Sequence, residues 1–230
     1  MSLPSAACAS LLVLLLSAAC LSSAPAAEAI SPAEQQVFAA PHLASLPAST
    51  SLRYVFRKVE AGQPDVDDEA VLAIRQEAGR GRVAQVEYLH GERRLDLPEV
   101  DQAVSNPVIL HFLEADVRNM RQRLGGRENY FRRRIRLALA DTAKMQAVDF
   151  DYGGRKLKAI EVTVQPYLGD PLQDRFKGWA GKSYSFLLSP EVPGGVYRLR
   201  TQVVDPGGSG QTQHEETLTL TSSGDKTGGR

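Results

Sequence analysis

The chain has 230 residues, with 27 Lys+Arg against 27 Asp+Glu, and is 43% hydrophobic, 7% aromatic and 23% charged. This is the composition of a globular protein and excludes a disordered or fibrous chain. Zero net charge excludes a whole-molecule attraction to nucleic acid, so any anionic partner must be met by a local patch.

The first element is a leader. Ala6 to Ala19 is almost wholly apolar, centred on Leu11 to Leu16, and is followed by the small residues Ser22 to Ala29. A run of about 14 residues is shorter than the roughly 20 that cross a bilayer as a helix. The pattern predicts a signal peptide over 1–26, with the A-x-A sites Ala24-Pro25-Ala26 and Ala27-Glu28-Ala29 for cleavage. The expected destination is the periplasm or the medium. Ser17-Ala18-Ala19-Cys20 offers the alternative, in which Cys20 is acylated and anchors the protein to a membrane as a lipoprotein. Both cysteines, Cys8 and Cys20, precede or begin the mature chain, so disulfides and cysteine-metal sites in the body are not expected.

The body is expected to be a single domain over 31–221, with a disordered tail at 222–230. Ser31-Pro32-Ala33-Glu34 combines a Ser N-cap, Pro at the first helical position and Glu at the third, and predicts a short helix to about Ala39. From Leu52 the period changes to two. Leu52, Tyr54 and Phe56 share one face, and Ala70, Leu72 and Ile74 repeat the pattern. Val83 to Leu89 and Arg94 to Leu97 read as a further pair turned around Gly91. Asn106-Pro107 opens a helix with an apolar stripe of Leu110, Leu113, Val117, Met120 and Leu124, ended by Gly125-Gly126. A second helix is predicted from about Asn129 to Ala140.

Strands resume at Val148, Phe150 and Tyr152, turn at Gly153-Gly154 and return along Lys156 to Gln165. Asp170-Pro171 opens one more helical turn up to Gly178. Three strands remain: Lys182 to Leu188, Val196 to Val204 and Glu216 to Thr221. The sum is an α+β fold, a curved and mainly antiparallel sheet of about nine strands with a helical hairpin inserted between two strand groups.

The hairpin is rich in arginine. Arg118, Arg121, Arg123, Arg127, Arg132, Arg133, Arg134 and Arg136 face Glu128 as the only acid among them. Guanidinium forks bind carboxylate and phosphate bidentately, so Arg127, Arg132, Arg133 and Arg136 are the candidate anion-binding residues, for an anionic membrane surface or an acidic protein. The competing expectation is a solvated hairpin whose arginines pair with acidic strands such as Asp149 and Asp151. Nucleic acid is not an expected partner.

No catalytic constellation emerges. Asp65-x-Asp67-Asp68-Glu69 has Ala70 where a calcium loop requires Gly and Gln76 where it requires Glu, and reads as an acidic turn between strands. His42, His90, His111 and His214 lack the spacing of a ligand pair, so no metal is expected. Gly208-Ser209-Gly210 lacks the strand-to-helix context of a nucleophile elbow, and no nucleotide loop occurs, so no cofactor is expected.

The order helix, strands, helical pair, strands in an exported chain resembles the LolA-like periplasmic carriers over roughly Ser31 to Thr221, in architecture and without a matching motif. The resemblance implies a sheet closed by helices over an apolar cavity. Tyr54, Phe56, Leu72, Ile74, Val86, Tyr88, Phe150, Tyr184 and Phe186 would line that cavity and hold a lipid or other apolar ligand. The expected function is a non-catalytic binding or accessory protein of the cell envelope. The alternative is a periplasmic hydrolase with acid-base residues not yet identified.

Overall fold

A computed structural model describes residues 30–205, 207 and 210–221. The leader with Cys20, the elbow-like Gly208-Ser209 and the tail 222–230 lie outside the described residues. Eight strands form one antiparallel sheet: β1 (Thr50–Glu60), β2 (Val66–Glu77), β3 (Gly81–Tyr88), β4 (Lys144–Tyr152), β5 (Arg155–Val164), β6 (Ser183–Leu188), β7 (Val196–Val204) and β8 (Thr212–Leu220). Their order across the sheet is β3-β2-β1-β8-β7-β6-β5-β4.

That order explains the helices. The chain completes one meander at edge strand β3 and begins the next at the opposite edge, β4. It must therefore cross a sheet seven strand spacings wide, roughly 34 Å. The crossing is made by α2 (Val108–Leu124) and α3 (Glu128–Asp141), which pack on each other and, respectively, against β3 and β5. Before the sheet, Pro32–Glu34 forms one α-turn, α1, that continues as a π-turn over Gln35–Ala39. Its capping box is formed: Glu34 N donates to Ser31 Oγ at 3.1 Å and Ser31 N to Glu34 Oε2 at 2.9 Å. A 3-10 segment, Gln173–Trp179, lies between β5 and β6.

The period-two reading places the core. Leu52, Tyr54 and Phe56 of β1 are buried with Ala70, Leu72 and Ile74 of β2. The register puts Phe56 opposite Leu218, Leu218 opposite Leu199, Leu199 opposite Phe186 and Phe186 opposite Val162, one apolar row across five strands. Along α2, Leu113, Val117 and Met120 are buried beside Val108, Ile109 and Phe112.

Three expectations are corrected. The ninth strand is absent: Arg94 to Leu97 makes one isolated bridge, Leu95 to Tyr88, because Gly91–Arg93 forms a 3-10 turn and Pro98 has no N–H to extend the ladder. This segment instead shields the β3 edge, where Ala84 and Val100 exchange both backbone hydrogen bonds at 2.9 Å. Leu110 is 48% exposed, since the buried face of α2 is centred on Ile109, Phe112 and Asp116. The acidic run is no turn: Asp67, Asp68 and Glu69 belong to β2, and Asp68 pairs with Phe56 and points the same way.

Candidate functional site

The α2–α3 connection needs positive φ at two successive residues, and Gly125 (73°) and Gly126 (87°) supply it. The turn brings Leu124 and Arg127 opposite the 3-10 segment. Between them lies a groove of about 260 Å³ lined by Leu124, Gly125, Gly126, Arg127, Tyr130, Phe131, Leu172, Arg175 and Phe176. Its floor is aromatic. Phe176 lies edge-on to Phe131 with centroids 6.3 Å apart and stacks on Tyr167 at 4.9 Å, and Tyr167 meets Tyr184 of β6.

The wall behind Tyr130 is fixed by Asp170. Tyr130 OH donates to Asp170 Oδ1 at 2.6 Å, Leu172 N donates to the same oxygen at 2.7 Å, and Arg134 Nε stands 2.6 Å from Oδ2. Burial, then the hydrogen bond to Asp170, pushes the Tyr130 hydroxyl up to about 12. No carboxylate lines the groove, while Arg127 and Arg175 on its rim have no ion pair among the described residues. A larger hollow of about 440 Å³ sits at the other end, by Pro41, Gly81 and Arg82. There the Arg82 guanidinium is occupied by the carbonyls of Leu43 and Leu46.

Of the expected anion-binding arginines, Arg132 is spent inside the hairpin, in a forked contact with Glu114 and a 2.8 Å contact with Glu128. Arg127, Arg133 and Arg136 are exposed and unpaired among the described residues. Asp149 and Asp151 make no ion pair with the hairpin's arginines among the described residues. Arg121 meets Glu128, Arg123 meets Glu60, Arg134 meets Asp170, and Asp149 pairs with Lys158.

Tyr54, Phe56, Leu72, Ile74, Val86, Tyr88, Phe150, Tyr184 and Phe186 are all buried in the core cluster. Tyr54 OH accepts from Asn106 Nδ2 at 2.9 Å, Tyr88 packs against His111, and Phe150 lies 4.5 Å from Tyr197. Tyr184 alone of these connects to the groove, through Tyr167.

A second cluster sits at one end of the sheet face, beneath Trp179. Asp116 of α2 pairs with Lys182, both side chains 1% exposed, and accepts Tyr184 OH at 2.5 Å. Tyr184 OH is in turn 2.9 Å from Tyr167 OH. Alongside, His214 lies 3.5 Å from Glu216 and 3.7 Å from Glu60, with the Trp179 ring 4.9 Å away. Arg123 stacks over Trp179 at 4.6 Å and grips Glu60 at 2.8 Å. Burial works against the Glu60 charge, but the hydrogen bonds from Arg123 and Lys58 outweigh it and hold the carboxyl at about 2. Glu216 is likewise lowered: burial opposes its ionisation, and His214 and Lys182 overcome that.

These residues were missed in the sequence, although the signal was there. Lys182 shares the parity of Tyr184 and Phe186, and His214 and Glu216 share that of Leu218 and Leu220, so polar groups were due on the inner face. Among the described residues no set of three His, Cys, Asp or Glu side chains converges as a metal site would require. No helix among them is long and apolar enough to cross a membrane.

No family model and no curated protein matches the chain. Among solved structures it is similar to lipoprotein LppX of Mycobacterium tuberculosis, at 10% identity and a TM-score of 0.33, over 75% of this chain and 85% of that one. It is also similar to LprF from Mycobacterium bovis, at 14% identity and a TM-score of 0.32, over 84% of this chain and 93% of that one. At these values neither neighbour defines a ligand for this chain.

Proposed function

We propose that the chain is an exported, non-catalytic binding or accessory protein of the cell envelope that holds one apolar chain in the groove between the α2–α3 turn and the 3-10 segment. It acts in the periplasm or the medium, or on a membrane if Cys20 is acylated. The observation that carries the reading is the groove itself, open to solvent, floored by Phe131 and Phe176 and free of carboxylates. An open apolar hollow with a few polar groups at its rim is the usual form of a small-ligand site. Its volume of about 260 Å³ is less than twice the roughly 150 Å³ that accommodates benzene, so it suits a single hydrocarbon segment. Each methylene buried there gains about 0.8 kcal/mol.

The hydrolase alternative requires a group placed to donate or accept a proton, or to attack, at a substrate-accessible site. In the second cluster Glu60 and Glu216 are held ionised, and His214 is 2% exposed. The two carboxylate charges are engaged within the fold, Glu60 by Arg123 and Lys58 and Glu216 by His214 and Lys182.

Native mass spectrometry of the chain purified from its secreted form is the test. A bound lipid or fatty acid that is lost in Leu124→Lys supports the reading. A chain that is empty, and that also fails to take up a fluorescent fatty acid, overturns it.

A further inference from the structure

The groove is one part of a longer exposed strip. The groove shares Tyr130 and Leu172 with a second hollow, bounded also by Arg133, Arg134, Leu137, Asp170 and Pro171, and a separate third hollow is lined by Lys144, Gln165 and Leu168. Along the strip, Leu168 is 60% and Leu172 41% exposed, two of the large apolar side chains the fold leaves in water. Beside them stand Arg175, Arg127, Arg133 and Lys144, each exposed and without an ion pair among the described residues. The neighbouring acids are neutralised: Asp170 is buried against Arg134 and Tyr130, and Glu128 is held by Arg132 and Arg121. Asp174 is the one exposed acid among residues 124–137 and 168–176.

We infer that this strip docks the protein on an anionic lipid bilayer, with Leu168 and Leu172 entering the interface and Arg127, Arg133 and Arg175 resting on headgroup phosphates. Exposed leucines interleaved with unpaired guanidinium groups match a surface where hydrocarbon lies directly beneath a layer of anions. An acidic protein would satisfy the arginines but would need an apolar patch of its own to cover the leucines, which a bilayer supplies under every headgroup. The docked orientation turns the groove mouth toward the membrane. The inference stands on charge and exposure and does not depend on what the groove holds.

The test is vesicle co-sedimentation of the full secreted chain carrying Cys20→Ala, so that no acyl group contributes. Vesicles of phosphatidylcholine with phosphatidylglycerol should retain the protein, vesicles of phosphatidylcholine alone should not, and binding should fall steeply as salt rises. Changing Arg127, Arg133 and Arg175 together to Gln should weaken partitioning by roughly tenfold or more. Leu168→Ser with Leu172→Ser should weaken it while leaving the salt dependence. Arg155→Gln with Lys156→Gln, at the start of β5, should leave it unchanged.

Equal binding to both vesicle types overturns the inference, as does no binding at low salt; neither comparison needs a substitution in the strip. Capture by polyglutamate that the leucine substitutions do not alter also overturns it and assigns the arginines to an acidic protein. The ligand test of the groove is read separately, by mass, so the two can fail independently.

Discussion

Asp116 and Lys182 form an ion pair whose side chains are each 1% exposed, and it ties the middle of α2 to the first residue before β6. Two charges are removed from water here, and the arrangement holds because each is also engaged by neighbours. Tyr184 OH donates to Asp116, and the rings of Trp179 and Tyr184 lie within 5.4 Å of Lys182 Nζ. Removing one partner strands the other. Asp116→Asn is expected to cost about 3–5 kcal/mol, while replacing both by Leu and Met should recover most of it. Urea unfolding of the two variants checks the pair. A single substitution costing no more than a surface change would show that Lys182 finds water.

Entry into α2 depends on a second buried contact set. Asn106 Nδ2 donates to Tyr54 OH and, at 2.8 Å, to the Gly194 carbonyl, and its Oδ1 accepts Val108 N at 3.1 Å. Gly194 has φ 74°, and a Cβ there would stand 2.5 Å from Leu52 Cδ1 and 3.1 Å from Asn106 Nδ2. Gly194→Ala therefore combines a left-handed backbone with overpacking, about 1–2 kcal/mol for the first and 1–3 for the second. The expected outcome is a lowered urea midpoint with the slope unchanged, since the denatured chain is barely altered.

Much of the sheet was legible because its strands alternate strictly. Tyr54, Leu72 and Phe186 announce the inner face by parity, and Leu113, Val117 and Met120 announce the inner face of α2 by their spacing. Parity places polar residues at inward positions too, but the pattern does not say what they pair with there. Asp68, Asp116, Lys182, His214 and Glu216 each have a side-chain partner distant in sequence, so only the fold shows how these inward groups are satisfied. Arg94 to Leu97 alternates like a strand, but Pro98 and the 3-10 turn at Gly91 reduce it to one bridge. The groove was invisible for another reason. Leu124 and Phe131 flank a turn, and Leu172 and Phe176 belong to a segment about 45 residues away, so only the fold brings them together.

Asp68 makes acid stability predictable. It is 4% exposed in its side chain and accepts from Glu69 N, His90 N, His90 Nδ1 and Arg93. Burial opposes its charge, but the His90 hydrogen bond and the others win and hold it at about 2. In the unfolded chain it titrates near 3.9. Its contribution is thus complete above roughly pH 5 and is lost as pH falls toward 2, worth at most about 3 kcal/mol. Asp68→Asn should lower stability at neutral pH and flatten the acid limb of the stability curve; an acid limb of unchanged steepness would refute the assignment.

The histidines give the opposite kind of group with the same sign. His42 Nδ1 accepts Asn106 N at 3.2 Å, so its proton is on Nε2, which donates to Gln36 O at 2.9 Å. His111 Nδ1 donates to Pro107 O at 3.0 Å, leaving Nε2 as a bare lone pair with no hydrogen-bond partner among the described residues. Burial lowers both rings below the usual imidazole range, with the backbone contacts pulling partly back. The unfolded chain takes up these protons below about pH 6.5 while the folded one does not, so it binds more protons and stability rises with pH through that window. Both rings sit at the start of α2, and protonating His42 would also remove the acceptor for Asn106. Urea unfolding between about pH 7.5 and pH 5 should show stability falling with acidity, well above the range where Asp68 acts. His111→Gln should remove part of that slope. A flat profile over this range would mean that both rings reach water and titrate alike in the folded and unfolded chain.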